Sequence, residues 1–182
     1  MPCCREKIPY TYLLRNWVTL HFATIMKITL LVVGQTEEDY LKKGIGIYAD
    51  RLSHYIRFNI TEIRPPRNLK QLNQFQLKDA EGKLLLKYFE DSDQVVLLDE
   101  RGKSPASVEF AATLQKHMNS GIRHLMFVIG GAYGFSDEVY LKANSRLSLS
   151  PMTFSHQMVR LFFTEQLYRA FTILKNEPYH NE

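Results

Sequence analysis

Three short apolar runs constrain this chain most: residues 28–33 (ITLLVV), 95–98 (VVLL) and 125–129 (LMFVI), each closed by a glycine or by charged residues. A strand wetted on one face alternates polar and apolar side chains. A run that stays apolar belongs to a strand buried on both faces, and such strands lie in parallel sheets covered by helices. The stretches between them carry helical periodicity. From residue 37 to about 55, Tyr40, Leu41, Ile45, Tyr48, Leu52 and Tyr55 recur at threes and fours, the spacing of one helix face. Gly44 and Gly46 weaken that helix locally.

Residues 58–63 alternate enough for a second strand, which Pro65-Pro66 stops. A long helical stretch rich in Lys, Gln and Glu is expected over 69–89, with Leu72, Phe75, Leu84, Leu85 and Tyr88 or Phe89 as its core-facing stripe. After the run at 95–98, Asp99-Glu100-Arg101-Gly102 reads as a polar turn, and Pro105 suits the first turn of a helix reaching about residue 119. A short helix is expected at 137–142, a fifth strand at 147–150 closed by Pro151, a last helix at 154–174, and a polar tail over 176–182. This alternation predicts an α/β fold, a parallel sheet with helices on both faces. In open sheets of this class ligands bind beyond the carboxyl ends of the strands. Three segments lie there: Leu98-Asp99-Glu100, the glycine turn at 130–134, and the loop at 149–156.

The length, 182 residues, suits one such domain and leaves no room for a second of equal size. Of the formal charge of +4, half comes from Arg5, Lys7 and Arg15 against Glu6. An excess this small permits nucleic-acid binding without requiring it. A stand-alone binder gripping many phosphates carries a denser basic face. An RNA substrate would therefore be met through shape and a few placed groups, or through a second subunit. The two cysteines, Cys3 and Cys4, are adjacent. With no Cys/His cluster at metal spacing, neither a disulfide scaffold nor a metal site is expected, and the chain is expected in the cytoplasm.

Residues 1–25 differ in character from the rest of the chain. Their apolar stretch is broken by Arg15, Asn16 and His21, with no small-residue cleavage site after it, so a secretory signal is not indicated. Residues 17–33 are long enough to suggest a membrane span but include His21 and Lys27. A charge at mid-bilayer costs about 2.5–3.5 kcal/mol, and no membrane association is expected. MKITLLVVG, from Met26, looks like the start of an α/β protein. Residues 1–25 are expected to be an upstream extension and 26–182 the single domain.

Chemistry concentrates in three motifs. The first, residues 127–135, is a strand entering three glycines within five residues (FVIGGAYGF), which lets backbone approach a ligand closely. It is neither a Walker loop nor a G-x-G-x-x-G fingerprint, and alone it reads slightly better as a plain tight turn. The second, residues 147–156 (LSLSPMTFSH), runs from strand through proline to a helix start with Thr153 or Ser155 as cap. Backbone groups there suit an adenine edge, and an ordinary connection is the plainer alternative. His156 alone reads as a helix-start hydrogen-bonding residue sooner than a catalyst. The third is the tail, PYHNE at 178–182. It carries an aromatic ring and a titratable one, suited to stacking on a flipped base and managing its proton, although chain ends usually fray.

In this order, and with the opening MKITLLVVG and the LLDERGK segment, the motifs resemble the bacterial large-subunit rRNA methyltransferase H family, pseudouridine N3-methyltransferases of the SPOUT class. The resemblance spans Met26 to Glu182. It implies an α/β fold with a C-terminal trefoil knot, S-adenosylmethionine as methyl donor without a metal, and a homodimer whose partner tail completes each site. The implied substrate is a pseudouridine of 23S rRNA in the assembled ribosome. By motif position the donor pocket would be lined by Leu98, Gly130, Leu147, Ser148, Leu149, Ser150, Pro151 and Met152. Tyr179 would position the base, His180 would handle the N3 proton, and Arg160 and Arg169 would meet RNA phosphate or developing charge, with His156 also facing RNA. A solvated helix face is an equal alternative for the two arginines. Asn181 stands where relatives often carry Arg. The competing readings are a non-catalytic RNA-binding protein on the same fold, a SPOUT enzyme acting on tRNA and, more remotely, a dinucleotide-dependent oxidoreductase, which the Gly34-Gln35-Thr36 turn after the first strand disfavours.

Overall fold

The computed structural model describes residues 26–65 and 72–180. The extension at 1–25, residues 69–71 of the expected second helix, and Asn181 lie outside the described residues. The elements run β1 (Lys27–Val33), α1 (Asp39–Leu52), β2 (Arg57–Ile63), α2 (Gln74–Phe89), β3 (Gln94–Lys103), α3 (Ser107–Asn119), β4 (His124–Ile129), α4 (Asp137–Lys142), β5 (Ser145–Leu147) and α5 (His156–Leu174). The five strands form one sheet in the order β2-β1-β4-β3-β5, and every pairing is parallel.

Alternate residues of the central strands feed two cores. Ile28, Leu30, Val32, Leu125, Phe127 and Ile129 face α1, α3 and α5, where Leu52, Leu114, Phe163 and Leu167 close the layer. Leu31, Val33, Met126 and Val128 face the opposite side, against Leu85 of α2 and Val139 of α4. Burial on both faces is why these strands carry apolar runs.

Several sequence expectations need correction. Asp99-Glu100-Arg101-Gly102 does not end β3. Leu98 and Lys103 both pair with Leu147, so the charged residues swell out of the strand and pairing resumes beyond them. Local charge marks the excursion and hides the return. β5 occupies Ser145–Leu147 rather than 147–150. Asn144 starts the pairing early, its N–H donating to Val95 O at 2.9 Å and its Oδ1 accepting the Val95 N–H at 2.7 Å. Ser148 then turns the chain, Oγ donating to Ser150 O at 2.8 Å.

The helices also differ in detail. α2 begins at Gln74, where Asn73 and Gln76 cap each other reciprocally at 2.9 and 3.0 Å. Phe75 is then 66% exposed, and the inward face carries Glu81, Gly82 and Leu85. Tyr40, counted into the α1 stripe, is also exposed. Pro105 sits just before the α3 cap residue Ala106. α5 starts at His156, and of the two candidate caps Ser155 is the one used, its Oγ accepting the Met158 N–H.

Candidate functional site

Parallel strands run the same way, so the irregular segment of β3 beyond Leu98 and the loops after β4 and β5 meet at one end of the sheet. They enclose a cavity of about 490 Å³, within the range of small-molecule sites. Leu98, Gly130, Leu147, Ser148, Leu149, Ser150 and Met152 line it, and so does His156 at the first turn of α5. Pro151 stands between lining residues without lining the cavity itself. Three segments far apart in sequence are thus brought to one place by strand order.

Two features shape the walls. A Cβ added to Gly130 would lie 3.1 Å from Phe135 Cε1 and 3.2 Å from Gly134 O, so glycine lets the chain fold tightly here. Gly134 has φ +78°, a left-handed conformation that side chains rarely adopt. On the other wall, Ser148 is buried, its N–H donating to Lys103 O at 2.8 Å. The Ser150 Oγ accepts the Met152 N–H at 2.9 Å. The loop is fixed by its own hydrogen bonds, with leucines and Met152 as apolar walls around a polar backbone.

Two lining residues carry polar groups that the motifs did not single out as pocket walls. Tyr140 of α4 donates to the Asp99 carboxylate, whose other oxygen accepts the Arg101 N–H at 2.8 Å. Burial, reinforced by Asp99, pushes the Tyr140 phenol up to about 12. In sequence this tyrosine looks like one more apolar position on a short helix, and no local signal marks it. His156 is held below the usual imidazole range by burial, with Arg160 adding to the effect and Glu37 opposing it.

The remaining candidates lie elsewhere. Arg160 is 1% exposed and is not among the residues lining this cavity. Its Nη2 donates to Val33 O at 2.8 Å and its Nη1 to Thr36 Oγ1 at 2.9 Å, with Glu62 at 3.8 Å. It is not on a solvated helix face; it ties α5 to the end of β1. Arg169, Tyr179 and His180 form a second cluster near the other end of α5. Tyr179 packs edge-on against Tyr168, ring centres 4.8 Å apart, and its hydroxyl donates to Glu165 at 3.0 Å. Burial, then Tyr48 and Glu165, raise its pKa above the usual phenol range. His180 Nδ1 lies 3.5 Å from Arg169 Nη1. Ten residues of helix, roughly 15 Å at the α-helical rise, separate Arg169 from the cavity-lining Val159.

Comparisons with known proteins agree with this architecture. The family described as "Predicted SPOUT methyltransferase" matches residues 26–180. The ribosomal RNA large subunit methyltransferase H of Christiangramia forsetii is 57% identical over 156 residues, covering 86% of this chain and 99% of the relative. The protein of that name from Flavobacterium psychrophilum is 55% identical, covering 86% and 100%. Among solved structures, a probable methyltransferase from Bordetella pertussis Tohama I superposes with a TM-score of 0.51 at 11% identity, over 86% of this chain and 99% of that one. That likeness bears on the fold alone.

Proposed function

The chain belongs to the SPOUT methyltransferase family, and from that premise we propose that it transfers a methyl group from S-adenosylmethionine to N3 of a pseudouridine in large-subunit ribosomal RNA, on the assembled ribosome. The observation that carries the reading is the cavity at the carboxyl end of the sheet, built from Leu98 of β3, Gly130 after β4, and Leu147–Ser150 with Met152. Relatives more than half identical over nearly their whole length carry the ribosomal RNA methyltransferase name.

The residues suit the donor. Glycine backbone and the Leu147–Met152 loop present peptide groups to an adenine edge, and Leu98, Leu147, Leu149 and Met152 present apolar surface to its faces. When bound, S-adenosylmethionine supplies an electrophilic methyl group on a sulfonium. The chain's own part is to place the acceptor nitrogen in line with it, since positioning supplies much of the rate in such transfers. An imide N–H is a poor nucleophile while protonated. His180 takes or shares that proton, Tyr179 orients the base, and Arg169 offers positive charge to RNA. His156, at the cavity mouth, faces the RNA. Arg160 works by holding α5 in place rather than by touching substrate.

The tail packs about three turns of α5 away from its own cavity, so the reading includes a homodimer in which each tail completes the partner's site. A second copy also enlarges the RNA-binding face of a chain with a formal charge of only +4. Among the described residues no helix is long and apolar enough to cross a membrane. The proposed work on ribosomes implies a cytoplasmic chain. Residues 1–25 are taken as an extension outside the methyltransferase domain.

The test is incubation of the purified chain with labelled S-adenosylmethionine and ribosomes lacking the modification. Label on one pseudouridine of the large-subunit rRNA is the expected result. A donor-binding dimer that labels tRNA, or no RNA, would overturn the substrate assignment.

A further inference from the structure

Glu81 is a buried carboxylate, 6% exposed, on a helix whose composition otherwise suits solvent. It sits directly beneath the glycine turn. A Cβ added to Gly131 would lie 2.4 and 2.6 Å from the two Glu81 carboxylate oxygens, so the carboxylate lies directly against the Gly131 backbone, whose N–H opposes the rise in carboxyl pKa that burial causes. The next residue makes the matching contact at the far end of the turn. A Cβ added to Gly82 would lie 2.3 Å from Ser136 Oγ, and Ser136, itself buried, is the cap residue of α4. Two consecutive residues of α2 therefore fit both ends of the segment 131–136. Glu81 supplies an acceptor and Gly82 supplies room. The opposite side of the same segment lines the cavity through Gly131, Tyr133 and Gly134.

A carboxylate is an unfavourable choice for simple core filling, because burial penalises its charge while an apolar side chain of similar volume carries no such cost. Burial pushes the Glu81 carboxyl up, and the Gly131 N–H pulls against that shift. Three glycines leave the turn with little rigidity of its own, and its internal bond from the Gly134 N–H to Gly131 O is long, at 3.2 Å.

We infer that Glu81 is a positioning residue for the methyl-donor pocket: from behind the cavity wall its carboxylate holds the Gly131 peptide in the orientation that gives the glycine turn its donor-binding shape. The inference rests on the donor assignment above. It makes the pocket depend on a side chain of α2 that lines no part of it.

Two readouts separate this from a general loss of stability. The first is the Gly131 amide in the full, ¹⁵N-labelled chain, followed by its chemical shift and hydrogen-exchange rate without donor. The second is the dissociation constant for S-adenosylmethionine by calorimetry. Glu81→Ala is expected to deprotect the Gly131 amide and weaken donor binding by about tenfold, the scale of losing one buried hydrogen-bond partner. Glu81→Gln keeps an acceptor oxygen at the same reach and is expected to restore both to within about threefold of wild type. Should Glu81→Ala not fold, Glu81→Asp replaces it, since a side chain shorter by one methylene loses the contact. Unchanged amide protection and donor affinity in the folded Ala or Asp variant would overturn the inference, as would a Gln variant no better than Ala. Failure of the wild-type chain to bind the donor would instead sink the donor assignment, and the amide readout would still decide whether Glu81 holds the turn.

Discussion

Tyr179 and Arg169 donate to the same carboxylate oxygen of Glu165, at 3.0 and 2.7 Å, and the guanidinium lies 4.8 Å from the centre of the Tyr179 ring. The tail is therefore held against α5 as a formed surface. Glu177 supports it further by accepting from Tyr55 at 2.5 Å. Tyr179→Ala is expected to lower methyl transfer to ribosomes by at least about tenfold, the scale of removing one buried hydrogen bond and ring contact. Donor affinity should stay at the wild-type value, because Tyr179 lines no part of its own chain's cavity and its proposed place in the partner's site is against the base. Calorimetry with the donor alongside labelled transfer checks both halves, and equal loss in the two would refute the division of labour.

Arg160 predicts a stability effect. Its guanidinium meets Val33 O and Thr36 Oγ1 inside the protein. Arg160→Met keeps most of the volume and strands those acceptors, at a cost of about 2–4 kcal/mol. Urea unfolding monitored by circular dichroism measures this. A change below about 0.5 kcal/mol, the level of an ordinary surface substitution, would show that the tie between α5 and β1 is energetically empty.

Gly102 lies where β3 rejoins the sheet. A Cβ there would come within 2.7 Å of the Leu147 backbone N and C, and backbone cannot swing aside as a side chain can. Gly102→Ala should destabilise by about 1–3 kcal/mol, as overpacking does. It should also weaken the donor by shifting Leu147, a lining residue. Parallel thermal-shift and donor titrations test this; a variant of full stability and full affinity would contradict the packing.

His156 carries the pH prediction. Its folded-state pKa lies below the ordinary value because burial and Arg160 disfavour the imidazolium, with Glu37 opposing. A depressed folded pKa means that the folded chain binds fewer protons than the unfolded one. This contribution to stability is complete above about pH 6.5, the ordinary imidazole value, and is lost as pH falls through the lower folded value. Protonation also places positive charge at the mouth of a cavity proposed to hold a sulfonium cation. Donor affinity should fall as pH drops below about 6.5 and through the depressed His156 value, and His156→Gln should flatten that profile. An unaltered profile in the variant would remove His156 from the explanation.

The sequence determined the strand cores by itself. ITLLVV and LMFVI are apolar almost throughout because both sheet faces are covered, and that is a local consequence readable in any window. The order of strands and helices among the described residues emerges from such windows, though not the bounds of β3 and β5, and the motifs pointed to the family. Tertiary structure decided what local windows cannot contain. The order β2-β1-β4-β3-β5 brings Leu98, Gly130 and Leu147 to one cavity from segments up to about fifty residues apart. The seat of α2 on the sheet turns Glu81 inward from a stretch that reads as solvated, and the path of α5 buries Arg160 against β1 while leaving Arg169 with the tail. Periodicity records which face of an element is covered. It does not record by what, and the chemistry of this site lies in that second fact.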